Sequence, residues 1–399
     1  MYAMIILSIN AGSSSLKVCC YEMTALNSLR HDARILFRGS TERLNTPEAS
    51  IRYTSEDSLE TSRGLAGATH EKALSVVLEA MGRAPDVVAH RVVHGGPEFT
   101  APVEITPSVL ATLQTLSEYA PLHNPPAIAC INEIHKAVPS ARNTASFDTS
   151  FHCSMPDIAK LYAIPAALTK NQTVRKYGFH GISYEYLTEK YFDMTGHPVD
   201  NSRLIICHLG AGASCCAVLN GKSVDTSMGF TPLDGLIMAT RCGEIDPGVI
   251  LALLMDGETS ASKLEGVLNN DSGLLALSGS SGDVRDLEKA EAAGDTKATL
   301  ALNAFAYRVR KTVGSYVAAL GGVDALILSG GIGENSSSMR DRICKGMEAL
   351  GIELDSEKNR VVDVNAGKGI QTESSRAAIY VLHTDEERQI ARDAWKLFN

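Results

Sequence analysis

Apolar residues near the start of the chain fall in two short runs separated by a turn of small residues. Residues 4–9 form a β-rich apolar run, residues 10–15 read Asn-Ala-Gly-Ser-Ser-Ser, and residues 16–21 form a second apolar run. Two such runs joined by a small-residue turn predict a β-hairpin. The same order returns about 200 residues later, with apolar runs at 204–207 and 215–219 around a glycine turn. The pattern suggests an internal duplication, although an accidental likeness between two hairpins explains it equally well.

A second pattern, in which apolar residues are spaced among good helix formers, predicts helices. The predicted helices cover residues 71–81, 107–119, 127–137, 183–192, 246–255 and 286–320. Short runs rich in Val, Ile and Leu, of the length of buried strands, lie at 87–89, 144–147, 325–328 and 378–382. Helices that alternate with such strands predict the α/β class.

The length of the chain favours two domains rather than one. A chain of 399 residues exceeds what one hydrophobic core usually serves. No proline-rich linker marks a boundary, and the spacing of the two predicted hairpins places it near Asp148.

Composition and charge exclude several classes of function. The formal net charge is −9 and the pI is about 5.7, so we expect no surface that grips nucleic acid or an anionic membrane. The first apolar run is too short for a signal peptide and no run has membrane-spanning length, so we expect a cytoplasmic protein. The nine cysteines lack metal-ligand spacing, and we expect reduced, mostly buried thiols.

The turn at 329–335, Ser-Gly-Gly-Ile-Gly-Glu-Asn, is a candidate phosphate-binding turn. It follows the predicted strand 325–328 and precedes a helix-like stretch that begins near Ser337. Glycines let a backbone approach a phosphate closely, and a helix N-terminus adds partial positive charge. A tight turn without a ligand is an equally common reading. Two standard nucleotide loops fail, because Cys216 occupies the first glycine of a P-loop ending at Ser223, and Cys215 occupies the last glycine of a Rossmann fingerprint beginning at Gly210.

Four ionisable residues are candidates for binding or transforming an anion. Arg91 and Arg241 are surrounded by small or apolar residues, and a guanidinium in such company binds carboxylate or phosphate, or else a structural acid. Asp148 follows a predicted strand and His180 lies between glycines. Catalytic groups gather at such places, although a cap or a buried hydrogen bonder is the commoner occupant. The first turn, with Lys17 at its edge, suits phosphate and Mg²⁺ or is simply a polar hairpin tip.

Together these segments resemble the acetate kinase family over nearly the whole chain. The motifs that carry the resemblance lie at 10–17, 90–96, 121–126, 147–152, 177–181, 225–233 and 329–335. The resemblance implies two duplicated RNase H-like domains of the actin-like ATPase fold, with a nucleotide cleft between them. It implies an N-terminal domain over 1–149 completed by 386–399, and a C-terminal domain over 150–385 that binds nucleotide and dimerises.

The resemblance also implies an activity. Members transfer the γ-phosphoryl group of ATP reversibly to acetate, giving acetyl phosphate and ADP, with Mg²⁺ or a substituting Mn²⁺, and act as homodimers. The implied catalytic residues are Arg91, Asp148, His180 and Arg241. Those implied in substrate binding are Arg91, Val93, Leu122, His123, Phe179 and Pro232. Those implied in nucleotide binding are Lys17, His208, Leu209, Gly210, Ala211, Gly212, Asp283, Val284, Arg285, Gly331, Ile332, Gly333, Glu334 and Asn335. Those implied near the metal are Asn10 and Glu386.

The chemistry agrees with these implied roles. Acetate is ionised at neutral pH, so its oxygen attacks phosphorus without a base, and catalysis reduces to alignment and charge neutralisation. We therefore expect direct in-line transfer, with Asp148 orienting Mg²⁺ or an arginine rather than acting as nucleophile.

Five positions depart from the family pattern. Ala211 replaces asparagine, Tyr184 replaces histidine, Ala239 replaces glycine, and Cys242 and Glu244 replace serine and aspartate. The loss of a side-chain amide at Ala211 costs about 1 kcal/mol of net hydrogen bonding to phosphate, which is not enough to abolish binding. Two rival readings remain, a propionate kinase, and an ATP-driven switch of the actin or Hsp70 kind, which would not need paired arginines.

Overall fold

The computed structural model describes residues 3–25, 27, 33–56, 60–121, 123–169, 173–257, 259–364 and 366–399. These form two compact units. The first unit comprises Met1–Phe151, Gly181–Tyr186 and Asp385–Asn399, and the second comprises His152–His180 and Leu187–Thr384.

The two units are built from the following strands and helices. The strands are β1 (Met4–Ala11), β2 (Leu16–Met23), β3 (Arg34–Glu42), β4 (Ser50–Ser55), β5 (Thr61–Gly64), β6 (Val87–Val92), β7 (Val103–Glu104), β8 (Arg142–Phe147), β9 (Arg203–Leu209), β10 (Ala213–Leu219), β11 (Lys222–Thr226), β12 (Ala325–Ser329) and β13 (Ala378–Val381). The helices are α1 (His70–Met81), α2 (Pro107–Thr115), α3 (Asn124–Ala137), α4 (Asp157–Lys160), α5 (Gly181–Thr195), α6 (Pro247–Met255), α7 (Ala261–Asn270), α8 (Gly273–Ser278), α9 (Val284–Ala292), α10 (Thr296–Leu320), α11 (Gly330–Asn335), α12 (Ser337–Cys344), α13 (Ser356–Arg360) and α14 (Glu386–Phe398). Short 3-10 turns lie at Leu116–Glu118, Ser150–Ser154, Ala166–Leu168 and Glu348–Leu350.

Each unit is built on one sheet, and the two sheets share an order. The first sheet runs β5-β4-β3-β2-β1-β6-β8-β7 and the second runs β11-β10-β9-β12-β13. In both, an antiparallel hairpin (β1 with β2, β9 with β10) is extended on its outer side by another antiparallel strand. In both, the first hairpin strand pairs in parallel with β6 or β12, which pairs in parallel with β8 or β13. The predicted α/β class and the duplication are confirmed, and each sheet has the RNase H-like order.

The first sheet is covered on both faces because its strands alternate apolar side chains between the faces. Leu7, Ile9 and Val88 belong to a buried cluster with side chains of α1 and α3. Ile6 and Ala89, which point the other way, belong to a cluster with apolar residues of α14. Helix α14 therefore supplies one whole side of the first unit's core from the far end of the sequence.

Three elements differ from the expectation. The helix predicted over 286–320 is two helices, α9 and α10, because Gly294 takes a left-handed φ of 91° and Asp295 caps α10 by accepting the N–H groups of Lys297 and Ala298. The helix predicted over 107–119 ends at Thr115 and continues as a 3-10 turn. The predicted turn at 329–335 is itself helical as α11, while the helix expected near Ser337 is present as α12.

The cysteines are free thiols, as predicted, and Cys19, Cys20, Cys215 and Cys216 are buried in β2 and β10. Burial raises the pKa of the Cys19 thiol to about 11 and that of Cys20 to about 12, so these side chains behave as small apolar groups. Among the described residues, no helix combines the length and the apolar character that crossing a membrane requires.

Candidate active site

A buried ion pair lies at the carboxyl ends of two neighbouring strands in the first unit. β6 and β8 are parallel and adjacent, so Arg91, near the end of β6, lies beside Asp148, which directly follows β8. Arg91 donates from Nε to Asp148 Oδ1 at 2.9 Å and from Nη2 to Oδ2 at 2.5 Å. Burial would lower the pKa of Arg91, but the carboxylates of Asp148 and Glu386 raise it well above its ordinary value. The guanidinium is therefore charged and held in one plane.

Asn10 joins this pair to the start of α14. It lies on β1, the neighbour of β6, and its Oδ1 accepts from Arg91 Nη1 at 2.9 Å. Its Nδ2 donates to Glu386 Oε2 and to Glu387 Oε1, each at 3.0 Å. Asn10, Arg91, Asp148 and the two glutamates thus form one hydrogen-bonded cluster, four of whose members were predicted as site residues.

The two glutamates of this cluster suit a hard cation. Burial, and then the charge of Glu386, raise the pKa of Glu387, while Lys17, opposite Asn10 in the β1–β2 pairing, opposes the shift. A nearby cation would relieve this repulsion. Among the described residues no three His, Cys, Asp or Glu side chains are grouped to hold a metal. Mg²⁺ binds through one or two carboxylates, phosphate and water rather than a full protein cage, so the residues present fit it.

In the second unit, His180 takes an unusual backbone conformation. Its φ is 57°, in the left-handed region that side chains rarely adopt, and it caps the start of α5. Its Nδ1 lies 2.8 Å from Ser214 Oγ. Its ring stacks on that of His208, with centroids 4.3 Å apart. A strained residue held by several neighbours is characteristic of functional sites.

Arg241 and His180 face the same glycine. A Cβ on Gly212 would lie 3.5 Å from His180 Nε2 and 3.8 Å from Arg241 Nη1. Arg241 Nη1 also donates to the carbonyl oxygen of Pro232 at 3.1 Å. The structure therefore brings together three predicted residues of the second unit, His180, Arg241 and Pro232, beside the loop that precedes β10.

This loop adjoins the glycine turn that was predicted to bind phosphate. Gly330 has a φ of 76°, and a Cβ there would lie only 2.7 Å from the carbonyl oxygen of Leu209. A Cβ on Gly210 would lie 4.0 Å from the backbone N of Gly331. Any larger residue at position 330 would separate the two backbones, so glycine is required there.

Glu334 fixes the glycine turn. Its Oε1 accepts the N–H of Gly330 at 3.0 Å and that of Thr384 at 3.3 Å, and its Oε2 lies 2.7 Å from His383 Nδ1. Burial would raise the pKa of Glu334, but the histidine and the two N–H groups outweigh it and lower the pKa. Glu334 is thus an ionised carboxylate that braces the turn. Asn335 likewise donates back to the carbonyl oxygen of Gly331 at 2.9 Å.

The third predicted nucleotide segment lies at the start of α9. Asp283 caps this helix, accepting the N–H of Arg285 at 2.9 Å, and pairs with its guanidinium at 2.6 Å. Val284 is buried. Glu288, one turn further, accepts from Ser336 Oγ at 2.6 Å, which ties α9 to the start of α12. The segments 283–288 and 331–336 are therefore neighbours.

The remaining predicted positions are those of the substrate pocket, and they are divided between the two units. Val93 and His123 belong to the first unit and Phe179 to the second, and Val93 and Phe179 are buried. Leu122 lies outside the described residues.

The residues that depart from the family pattern differ in burial and in their contacts. Ala211 is exposed, and its carbonyl oxygen accepts the N–H of Ala239 at 3.0 Å. Tyr184 is buried in α5. Burial raises the pKa of the Cys242 thiol, and Glu244 pairs with Arg308 at 2.7 Å.

Sequence reasoning missed two members of these clusters. Glu387 was given no role, although it is next to Glu386. The run of three acids at 385–387 is the signal that could have identified it. Ser214 is a buried polar residue inside the apolar run of β10, two residues after Gly212, and that placement is its only mark in the sequence.

The duplicated RNase H-like sheets, with an arginine–aspartate pair, a histidine and glycine turns at strand ends, define a kinase of the actin-like ATPase fold. The chain belongs to the acetokinase family, whose model matches residues 5–392. The acetate kinase of Clostridium botulinum (strain Loch Maree / Type A3) is 42% identical, over 97% of this chain and 98% of that protein.

Two solved structures share the fold over nearly their whole length. The acetate kinase of Porphyromonas gingivalis superposes with a TM-score of 0.89 at 36% identity, covering 99% of this chain and 100% of that one. A propionate kinase from Francisella tularensis superposes with a TM-score of 0.89 at 35% identity, covering 98% of each chain. Relatives with either acceptor therefore share this architecture.

Proposed function

We propose that this chain is an acetate kinase that transfers the γ-phosphoryl group of ATP reversibly to acetate, giving acetyl phosphate and ADP. The observation that carries the proposal is the charged, largely buried Arg91 held by Asp148 and Asn10, in a chain of the acetokinase family. A guanidinium fixed in this way is preorganised to bind a carboxylate or a transferring phosphoryl group.

The proposed reaction is a direct in-line transfer. A carboxylate oxygen of acetate attacks the γ-phosphorus and forms the new P–O bond, while the bond from phosphorus to the β–γ bridging oxygen breaks and ADP leaves with those electrons. No proton moves, so no general base is needed. In this scheme Arg91 and Arg241 hold the acetate carboxylate and the γ-phosphoryl group, and His180 stabilises the charge that spreads over the equatorial oxygens.

Asp148 has a positioning role in the proposal. Both of its carboxylate oxygens are engaged by Arg91, and an anion bound to a guanidinium is a poor nucleophile toward another anion. Its engagement with Arg91 favours orientation of an arginine over direct contact with Mg²⁺, the two roles that the sequence left open.

The proposed nucleotide contacts are the turn 331–335, the segment 208–212 at the end of β9 and in the turn after it, Lys17 and the start of α9. Their support is the close approach of the two glycine turns and the brace formed by Glu334. Glu386 and Glu387, with Asn10, would hold the Mg²⁺ ion, or Mn²⁺ in its place. When bound, the metal supplies charge neutralisation on the phosphates.

The acceptor is proposed as acetate, with propionate as the alternative. The proposed methyl pocket consists of Val93, Leu122, Phe179 and Pro232, with His123 near it. One methylene changes discrimination by only about 1–3 kcal/mol, and a propionate kinase shares the fold. The kcat/KM values for acetate, propionate and butyrate, measured side by side with ATP and Mg²⁺, decide between the two. A clearly higher value for propionate would overturn the choice of acetate.

A product assay tests the reaction itself. Acetyl phosphate formed by the purified protein is trapped as acetyl hydroxamate, and a γ-phosphate of defined chirality reports the stereochemistry. We expect hydroxamate that depends on acetate and ATP, with inversion at phosphorus. Retention would exclude a single in-line transfer. ATP hydrolysis at the same rate with and without acetate, with no hydroxamate, would favour the nucleotide-driven switch.

A homodimer is also proposed, through the second unit. Helix α6 reads Pro-Gly-Val-Ile-Leu-Ala-Leu-Leu-Met, has no buried residue, and leaves Leu251 53% and Met255 81% exposed. An apolar helix this exposed is suited to burial against a second copy. Sedimentation of the wild type and of L251E tests the dimer, because the variant should be monomeric if α6 forms the interface.

We further propose the domain limits 1–149 with 386–399, and 150–385, and a cytoplasmic location.

A further inference from the structure

A serine that the proposed reaction does not use contacts the proposed transition-state histidine. We propose that Ser214 is a positioning residue, which holds the His180 ring and keeps the proton of the neutral ring on Nε2. The inference rests on the proposed role of His180 and extends it to the residue that aims it.

The position of Ser214 is set by the sheet rather than by a loop. It lies on β10, directly opposite His208 on β9, and is fully buried. Its Oγ lies 2.8 Å from His180 Nδ1, and the opposite residue His208 stacks on the same imidazole at 4.3 Å between centroids. Two paired strand residues therefore hold the ring, one at its edge and one on its face. Such support is needed because His180 has a left-handed backbone, with a φ of 57°, which is unfavourable for a residue with a side chain.

The proposed role includes which nitrogen carries the proton. A neutral imidazole has one N–H donor and one acceptor nitrogen, and a hydroxyl can serve as either partner. When Ser214 donates its O–H to Nδ1, the ring proton is on Nε2. If the ring becomes charged, both nitrogens donate and Ser214 accepts instead. In both states Nε2 presents N–H.

Nε2 is the nitrogen that faces the proposed site. It lies 3.5 Å from the Cβ position of Gly212, and Arg241 Nη1 lies 3.8 Å from the same point. A donor at Nε2 and a guanidinium N–H beside it can both bind oxygens of one anionic phosphoryl group. An Nε2 lone pair there would repel that anion, so the hydroxyl on the far side of the ring matters for charge stabilisation.

The same unit contains a matched pair for comparison. Ser223 Oγ lies 2.8 Å from Nδ1 of His152, and both residues are buried. His152 Nε2 lies 2.9 Å from the carbonyl oxygen of Phe179, so this pair supports the backbone next to His180 without touching its ring. Loss of a hydroxyl from Ser223 therefore costs a buried serine–histidine contact of the same length, but leaves Nδ1 of His180 alone.

The test is a set of variants assayed for acetyl phosphate formation. We expect S214A to lower kcat on the order of 10- to 100-fold with the KM for acetate and ATP changed far less, and S214T, which keeps the hydroxyl, to restore most of the loss. S223A should show a similar change in Tm with kcat within about threefold of wild type.

A double-mutant cycle separates positioning from general structural damage. If Ser214 acts through His180, S214A should lower kcat no further when introduced into H180A. Equal kcat losses in S214A and S223A, or a full additional loss in the double variant, would overturn the inference. If H180A itself keeps wild-type kcat, the inference and the role of His180 both fall. If H180A loses activity but S214A has wild-type kcat, only the inference about Ser214 is wrong. Acetyl phosphate formation by the wild type tests the proposed function separately.

Discussion

Asp148 accepts two hydrogen bonds from the side chain of Arg91, at 2.9 Å from Nε and 2.5 Å from Nη2. The third guanidinium nitrogen, Nη1, donates to Asn10. All three nitrogens of Arg91 are thus used for orientation, while N–H groups on Nη1 and Nη2 remain to meet an anion. The geometry matches a preorganised binding group rather than a surface ion pair, because the Asp148 side chain is only 1% exposed and that of Arg91 16%.

The first prediction concerns this pair. D148N keeps an oxygen acceptor but loses the charge and one of the two accepting oxygens, so Arg91 should turn away from its productive orientation. We expect kcat for acetyl phosphate formation to fall on the order of 100-fold or more, while the Kd for ATP changes little. R91A should behave similarly, and R91K should not rescue it, since an ammonium cannot form the bidentate contact.

A matched pair in the same unit supplies the control. Arg142 donates to Glu104 through Nε and Nη2, each at 3.0 Å, and both side chains are about half exposed. E104Q therefore removes the charge from a bidentate pair of similar geometry outside the cluster. It should leave kcat unchanged and alter stability by about 1 kcal/mol or less. Unchanged turnover in both D148N and R91A would refute the proposed site.

The second prediction concerns the metal. E386Q removes one of the two carboxylates next to Asn10, and we expect the Mg²⁺ concentration for half-maximal activity to rise about tenfold or more. D393N is the control, because Asp393 is a buried acid of the same helix, bonded to Ser146 at 2.8 Å. It should lower Tm without changing the Mg²⁺ requirement. The same Mg²⁺ titration curve for E386Q and wild type would exclude Glu386 as a metal ligand.

The third prediction uses two glycines of one turn. A Cβ on Gly331 would meet open space, whereas one on Gly333 would lie 3.2 Å from the backbone carbonyl carbon of Leu328 in β12. G331A should therefore raise the KM for ATP severalfold at constant Tm, because the methyl group lies where a phosphate approaches. G333A should lower Tm whatever happens to the KM. A wild-type KM for ATP in G331A would show that nucleotide does not approach this residue.

The local patterns of the sequence predicted the two hairpins and the strand pairing they imply. Two short apolar runs joined by small residues have few possible structures other than a hairpin. The runs that form β1 and β2, and those that form β9 and β10, are each joined by such turn residues. The same reasoning missed β3, β4 and β5, whose exposed faces are polar and whose apolar residues are few. It also missed α14, whose charged residues include several that are buried in the first unit, such as Arg392 and Asp393.

Local sequence patterns predicted only part of the candidate site. Arg91 was found because it lies among small or apolar residues, and Asp148 because it follows a predicted strand. Their contact follows from the parallel pairing of β6 and β8, which brings the carboxyl ends of the two strands together. The contact of Ser214 with His180 joins residues on β10 and at the start of α5. No local sequence pattern predicts this contact, because the two residues are 34 positions apart and meet only when β10 and α5 pack together.

The fourth prediction concerns the choice of acceptor. V93A shortens one wall of the proposed methyl pocket, so it should shift the ratio of kcat/KM values from acetate toward propionate by about 10-fold, within the 1–3 kcal/mol that one methylene is worth. V92A is the control, since Val92 is the preceding residue and is packed in the apolar core with Phe147. V92A should lower Tm by more while leaving the ratio unchanged. Equal ratios in V93A and wild type would remove Val93 from the pocket.

The last prediction concerns stability at low pH, and it follows from a buried histidine outside the catalytic clusters. Burial lowers the pKa of His152 to about 4, against an ordinary value of 6.5. Between these values the unfolded chain binds a proton at this residue and the folded chain does not. The free energy of unfolding must therefore fall as the pH is lowered from about 6.5 to about 4, by about 3 kcal/mol for this residue.

The variant H152Q isolates this contribution. Glutamine does not titrate, and it can keep a polar contact with Ser223 or with the carbonyl oxygen of Phe179, the two present partners. We expect H152Q to be less stable than wild type near pH 7.5, where the histidine is neutral in both states, and to lose less stability on acidification. The urea midpoints of the two proteins should therefore converge as the pH falls toward about 4.5. His90, whose pKa burial also lowers to about 4, contributes the same slope to both proteins and cancels in the comparison. A parallel decline of the two midpoints would mean that His152 accepts its proton without unfolding, because its environment would then be open to water.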